Sequence, residues 1–226
     1  MADALTLELV DRDEAIREAL DDGLAGNRRD LFKKLVGGGT VLASGGLLIG
    51  GLPSVALGAP SAKQDVKILN FALLLEYLES SFYVEAVKRG KLSGETAAFA
   101  KTVRDHELAH VAYLKKALGS KAISKPRFDF GDTTSRQSTF QATAQALEDT
   151  GVSAYNGQGP RLTKATLAAA ATIVSVEARH AAWIRSIIGA PKYGGKASNY
   201  PAPAAFDKAR TMKQVVKIVT STGFVK

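Results

Sequence analysis

The sequence predicts an all-α fold: a four-helix bundle with one long crossover, an N-terminal signal segment and a C-terminal helical tail. Two observations carry that prediction. Four stretches with helical apolar periodicity are joined by a short, a long and a short link, the connectivity of a bundle with a single crossover. Two Glu-x-x-His pairs, Glu107/His110 and Glu177/His180, each follow a lone Glu on the preceding stretch, Glu76 and Glu148. Each lone Glu is followed at i+7 by a tyrosine, Tyr83 and Tyr155. The pattern Glu-x6-Tyr then Glu-x-x-His therefore occurs twice, as expected of two helix pairs related by approximate two-fold symmetry.

The first helix is expected over about Val66–Arg89, ending at Gly90, and the second from near Ser93, with Gly94-Glu95-Thr96 completing a cap, to Gly119. Residues 120–133, with Pro126 and Gly131, form the long link. The third helix is expected over Thr134–Tyr155, broken by Gly157-Gln158-Gly159-Pro160. The fourth runs from Thr163 to Ile188. A last amphipathic helix near Ala209–Val219 is expected to dock on the bundle with Phe206 and Phe224. The domain reading is 1–62 signal with a long n-region, 63–190 bundle and 191–226 tail.

Helical spacing places i, i+3, i+4 and i+7 on one face. Glu76 shares its face with Leu69, Ala72, Leu73 and Tyr83. Glu107 shares one with Ala100, Val103, His110, Val111 and Leu114. Glu148 lies with Gln141, Ala144, Val152 and Tyr155, and Glu177 with Ala170, Ile173, Val174, His180, Ala181 and Ile184. Four carboxylates on apolar stripes, with no Lys or Arg beside them, need counter-charge, because an unpaired buried carboxylate costs several kcal/mol or takes up a proton. Two divalent cations supply +4 against four carboxylates, and two neutral imidazoles add nitrogen ligands. Glu76, Glu107, His110, Glu148, Glu177 and His180 are the candidate ligands. Glu79 competes with Glu76 as a ligand or supports from behind it. Tyr83 and Tyr155 are candidates to hydrogen-bond ligand carboxylates, or are large core residues with a satisfied hydroxyl. His106, about 100° round the helix from Glu107, is read as a rim or supporting group.

The chain of 226 residues is 46% hydrophobic, enough for a substantial core, and has no Cys. Disulfides, thiolate sites, iron–sulfur clusters and thiol catalysis are thereby excluded. Carboxylate and imidazole donors suit iron or manganese. Residues 1–59 hold 6 Lys/Arg against 9 Asp/Glu, leaving 24 against 13 in residues 60–226. No Lys/Arg run exceeds two, so this basic surface is read as solubilising, with no specific nucleic-acid partner.

Asn27-Arg28-Arg29-Asp30-Leu31-Phe32-Lys33 precedes an uncharged stretch from Leu35 to Ala62 that contains eight Gly. A positive pair, a weakly apolar core and then small residues form the layout of an export signal, and the arginine pair resembles a twin-arginine signal. The translocase of that route is then a partner, and the protein is periplasmic or otherwise extracytoplasmic. The alternative is a membrane anchor, since the uncharged stretch is long enough to span a bilayer. Its Gly clusters weaken a helix there. Residues 1–26 have no assigned role.

Leu69-Asn70-Phe71-Ala72-Leu73-Leu74-Leu75-Glu76-Tyr77-Leu78-Glu79 and Glu148-Asp149-Thr150-Gly151-Val152-Ser153-Ala154-Tyr155-Asn156-Gly157 resemble segments of the ferritin-like superfamily. The chain looks most like its exported bacterial branch of desiccation- and stress-associated proteins. The resemblance spans about Val66–Ile188 and implies a bundle with the six candidate ligands at the metal positions. Superfamily activities include iron oxidation and storage, manganese catalase and oxygen-activating oxidases. Two readings follow. One is a redox protein acting on a small oxidant or on ferrous iron through two divalent ions, iron or manganese. The other is a stress-protective protein whose metals only staple the bundle. Iron storage needs a hollow cage, which the leader and basic surface do not suggest. The sequence leaves a homo-oligomer open.

Overall fold

The computed structural model describes residues 60–189 and 200–226, so the leader reading lies outside the described residues. Five α-helices are described: α1 (Ala62–Arg89), α2 (Gly94–Leu118), α3 (Gln137–Gln158), α4 (Lys164–Gly189) and α5 (Met212–Ser221). Short 3-10 turns, Gly119–Lys121 and Gly159–Arg161, follow α2 and α3. The fold is the expected all-α bundle. α1 packs chiefly on α2 and α3 on α4, and the two hairpins meet through α1 with α3 and α2 with α4. No described helix is long and apolar enough to cross a membrane.

Local chemistry fixes the helix ends. Ser61 caps α1 by accepting from the Gln64 N–H, and Gly90 ends it at φ 62°, where a side chain would be strained. Ser93 does not cap α2 with its side chain. Its N–H and hydroxyl both donate to Gln137 Oε1, at 2.9 and 3.1 Å, tying the start of α2 to the start of α3. α3 begins at Gln137, three residues later than expected, because Thr134 turns inward and donates to Glu85 Oε1 on α1 at 2.6 Å. The start of α4 is held across the bundle, where Asp65 accepts from the Thr163 N–H and from the Thr163 and Thr166 hydroxyls.

Gly157 does not break α3, which continues to Gln158. A Cβ there would stand 1.8 Å from the Arg210 carbonyl oxygen, so glycine is required by the close approach of the tail. The tail is pinned at that point by Arg210 N–H donating to Ser153 O at 2.9 Å. α5 starts with a capping box between Thr211 and Gln214 and buries Val215 and Val219 against the bundle. Phe224 packs edge-on to Phe130 of the crossover, with centroids 5.2 Å apart. Phe206, expected to dock, is instead 90% exposed. Being apolar does not by itself bury a side chain, and single exposed apolar residues are ordinary on a protein surface.

Two apolar layers sandwich the middle of the bundle. One is built on Phe82, Tyr83, Phe99, Val103, Phe140 and Ile184, with the Phe82 and Phe140 rings stacked at 5.1 Å. The other is built on Leu69, Leu73, Leu114, Leu118 and Ile173. Each of these side chains contributes roughly 1.5–3 kcal/mol by leaving water. Along α1, α2 and α4 the candidate ligands fall between residues of the two layers.

Candidate metal centre

Glu76, Glu107, Glu148 and Glu177 are all 0% exposed, and His180 is 2% exposed. The structure brings all four carboxylates and both imidazoles together. His110 Nδ1 lies 3.3 Å from Glu76 Oε2, 3.2 Å from Glu107 Oε2 and 3.0 Å from Glu177 Oε1. His180 Nδ1 lies 3.1 Å from Glu107 Oε1, 3.3 Å from Glu148 Oε2 and 3.7 Å from Glu177 Oε2. Glu107 and Glu177 therefore give one oxygen to each imidazole's group, while Glu76 and Glu148 each serve one. Two sets result, Glu76/Glu107/His110/Glu177 and Glu107/Glu148/Glu177/His180, with the ligand atoms of each set within 4.8 Å of one another.

The tyrosines cross between halves. Tyr155 on α3 donates to Glu76 Oε1 on α1 at 2.6 Å, and Tyr83 on α1 donates to Glu148 Oε1 on α3. Each holds the oxygen that its glutamate turns away from the imidazole. Burial, reinforced by neighbouring carboxylates, pushes both phenols well above their ordinary range, so they remain donors.

The donor set fits a metal. Glu76 Oε2, Glu107 Oε1, Glu148 Oε2, both Glu177 oxygens and His180 Nδ1 are buried with no hydrogen-bond partner. Buried polar atoms are normally hydrogen-bonded, yet these converge on shared points with only ion-pair contacts between carboxylate and imidazole, as ligand atoms do. Protonation in the metal-free protein follows from the same crowding. Burial opposes charge on His180, but Glu107, Glu148 and Glu177 lift it to about 12. Burial also opposes charge on His110, and Glu107, Glu177 and Glu76 override it in the same direction. Burial alone would raise Glu177, but the His110 and His180 imidazoles beside it hold it at about 2. Burial raises Glu148 to about 7 against the pull of His180. Imidazolium thus supplies counter-charge until a cation replaces its proton.

Glu76 belongs to one of the two candidate sets and Glu79 to neither, although Glu79 is also buried, at 3% exposure. His106 is exposed, and its Nδ1 reaches His180 Nε2 at 2.8 Å with the rings stacked. Periodicity identified the six converging residues but not the tyrosine exchange, since spacing along one helix says nothing about which neighbour a side chain reaches. The place of Gly151 beside Glu79 and Glu177 was also missed. Its signal was available, because Gly151 stands three residues after Glu148 as Glu79 stands three after Glu76.

The ferritin-like domain profile matches residues 64–190. The chain belongs to the ferritin-like domain family. No match was found among curated proteins. In this ferritin-like chain the buried Glu/His cluster is consistent with a metal site of the kind that bundles build from inward carboxylates and Glu-x-x-His pairs.

Proposed function

We propose that the cluster holds two divalent ions, iron or manganese, and that the protein is redox-active towards peroxide, oxygen or ferrous iron in stress protection. The observation that carries this reading is the two-faced placement of Glu107 and Glu177, each with one oxygen towards His110 and the other towards His180. Glu76 and His110 would complete one position, and Glu148 and His180 the other. When bound, such ions supply two-electron exchange with a small oxidant.

The protein's own groups set the conditions for that chemistry. Tyr83 and Tyr155 keep Glu148 and Glu76 turned towards the imidazoles. The aromatic and aliphatic layers exclude water above and below, which strengthens every charge interaction inside. His110, with a side chain 12% exposed against 3% for His180, marks the end of the cluster nearer solvent, where a small oxidant or ferrous substrate would arrive. Export by the twin-arginine route suits this reading, because folding and metal loading then precede translocation.

A second reading, in which the metals only staple the bundle, is favoured by the complete burial of all four carboxylates. Elemental analysis of protein from its native compartment, followed by assays of peroxide consumption and oxygen-dependent iron oxidation, separates the two. Two bound ions with turnover support the redox reading. Two bound ions with no turnover leave the staple, and failure to bind either metal under loading ends both.

A further inference from the structure

Two residues beside the cluster in the first half, Glu79 and His106, have no chemical counterpart in the second, and both lie towards the same ligand set. In register, Glu76, Tyr83, Glu107 and His110 correspond to Glu148, Tyr155, Glu177 and His180. Three residues after the lone glutamate stand Glu79 in one half and Gly151 in the other, and just before the paired glutamate stand His106 and Val176. Glu79 leans into the space that glycine leaves. Its Oε1 and Oε2 lie 3.3 and 3.7 Å from where a Cβ at Gly151 would stand, and Glu177 Oε2 lies 3.6 Å from the same point. That Glu177 oxygen is the one facing His180. Glu79 has no hydrogen-bond or ion-pair partner among the described residues, although such a buried carboxyl needs one.

His106 acts on the same set from the other side. His180 presents Nδ1 to the carboxylates, so to bind a cation it must carry its proton on Nε2, and that N–H points at His106 Nδ1. A partner on the outer nitrogen fixes ring orientation and tautomer and raises ligand basicity. His110 has no such partner on Nε2 among the described residues.

Resting on the dimetal reading above, we infer that the two metal positions are inequivalent and that the Glu148/His180 position is the tighter and fills first. Glu79 adds a fifth carboxylate beside it, and His106 positions its imidazole. Both come from the first half of the chain and serve the second.

The test is titration of the metal-depleted full-length protein with Mn2+, following free Mn2+ by its magnetic resonance signal. Wild type should fill in two separated phases. His180→Ala should abolish the tighter phase and His110→Ala the weaker. His106→Ala should weaken the tighter phase about 10–100-fold, the usual effect of losing a partner behind a ligand. His106→Gln, which keeps an acceptor, should restore most of that affinity. Glu79→Gln should also weaken the tighter phase, yet leave the metal-free protein at least as stable as wild type by circular dichroism melting, since it removes an unpartnered carboxyl. Two equal phases in wild type, loss of the tighter phase in His110→Ala, or an equal effect of His106→Ala and Glu79→Gln on both phases would overturn the inference while leaving two bound metals intact. Wild type that binds neither Mn2+ nor Fe2+ would sink the dimetal reading itself.

Discussion

Replacing Gly157 by alanine should destabilise the protein, against the rule for helices. Inside an ordinary helix the change is favourable by about 1 kcal/mol, because alanine loses less backbone entropy. Here the new methyl would stand 1.8 Å from Arg210 O, 2.6 Å from its carbonyl carbon and 2.8 Å from its nitrogen. All three are main-chain atoms, so the tail must retreat by roughly 1.5 Å or more to reach van der Waals distance. That shift breaks the Arg210 N–H bond to Ser153 O and the Gln158 Nε2 bond to Arg210 O, and loosens Arg210 Nη1 from Ser153 Oγ. Three such bonds at about 1 kcal/mol each outweigh the helix gain by about 2 kcal/mol. For a domain of this size that is a fall in Tm of about 4–8 °C. If α5 also lifts, the burial of Val215 and Val219 is lost at roughly 1.5–3 kcal/mol each. Thermal melting by circular dichroism reads the first effect, and brief trypsin digestion at Lys208, Arg210 and Lys213 reads the second. Gly159→Ala is the control, because its Cβ meets only Leu167 Cδ1, at 3.4 Å. A Gly157→Ala protein that melts at or above wild type, with the tail still protected, would refute the close-approach argument.

Tyr155→Phe removes a bond to a buried carboxylate worth about 1.5–3 kcal/mol; calorimetric metal titration should show loss at the His110 position, whereas Tyr83→Phe should weaken the His180 position. His110→Ala should leave far-ultraviolet dichroism intact while elemental analysis finds one ion fewer and any peroxide or ferrous-iron turnover collapses. Glu148 binds its proton more tightly folded, at about 7, than unfolded, so its contribution is complete below the usual carboxylate range and is lost as pH rises through 7; His180, raised to about 12, acts in the same direction above its unfolded value. The metal-free protein should therefore melt higher at pH 5 than at pH 8, with roughly 3 kcal/mol at stake for Glu148 alone, and adding metal at pH 8 should close the gap. Arg28→Lys with Arg29→Lys should hold the precursor in the cytoplasm on cell fractionation, because a lysine pair keeps the charge but not the guanidinium geometry.

Features that depend on one helix were legible before any coordinates. Glu107 with His110, and Glu177 with His180, share a face by spacing alone, and apolar neighbours mark that face as inward. Features that depend on what comes across from another element were not. Gly157 reads locally as a breaker, and only the backbone of Arg210 explains it as a contact. Ser93 reads as a cap, and only Gln137 shows where its donors go. Phe206 reads as an anchor because it is apolar, but apolar character alone does not bury it, and it stands 90% exposed. Glu76 and Glu79 are close enough on one face that spacing could not separate them; the glycine on α3 decides where Glu79 goes.

Each glutamate that serves a single imidazole is steadied by a phenol from the opposite hairpin, and each ligand set draws at least one carboxylate from across that divide. The cluster is therefore a fastener on a seam. Neither hairpin alone carries a complete candidate set, so on the dimetal reading proposed above cation capture would follow the docking of the two halves. On that reading, stripping the cations should leave each hairpin coiled while the joint between them loosens, with amide exchange rising first on the facing sides of the four long helices.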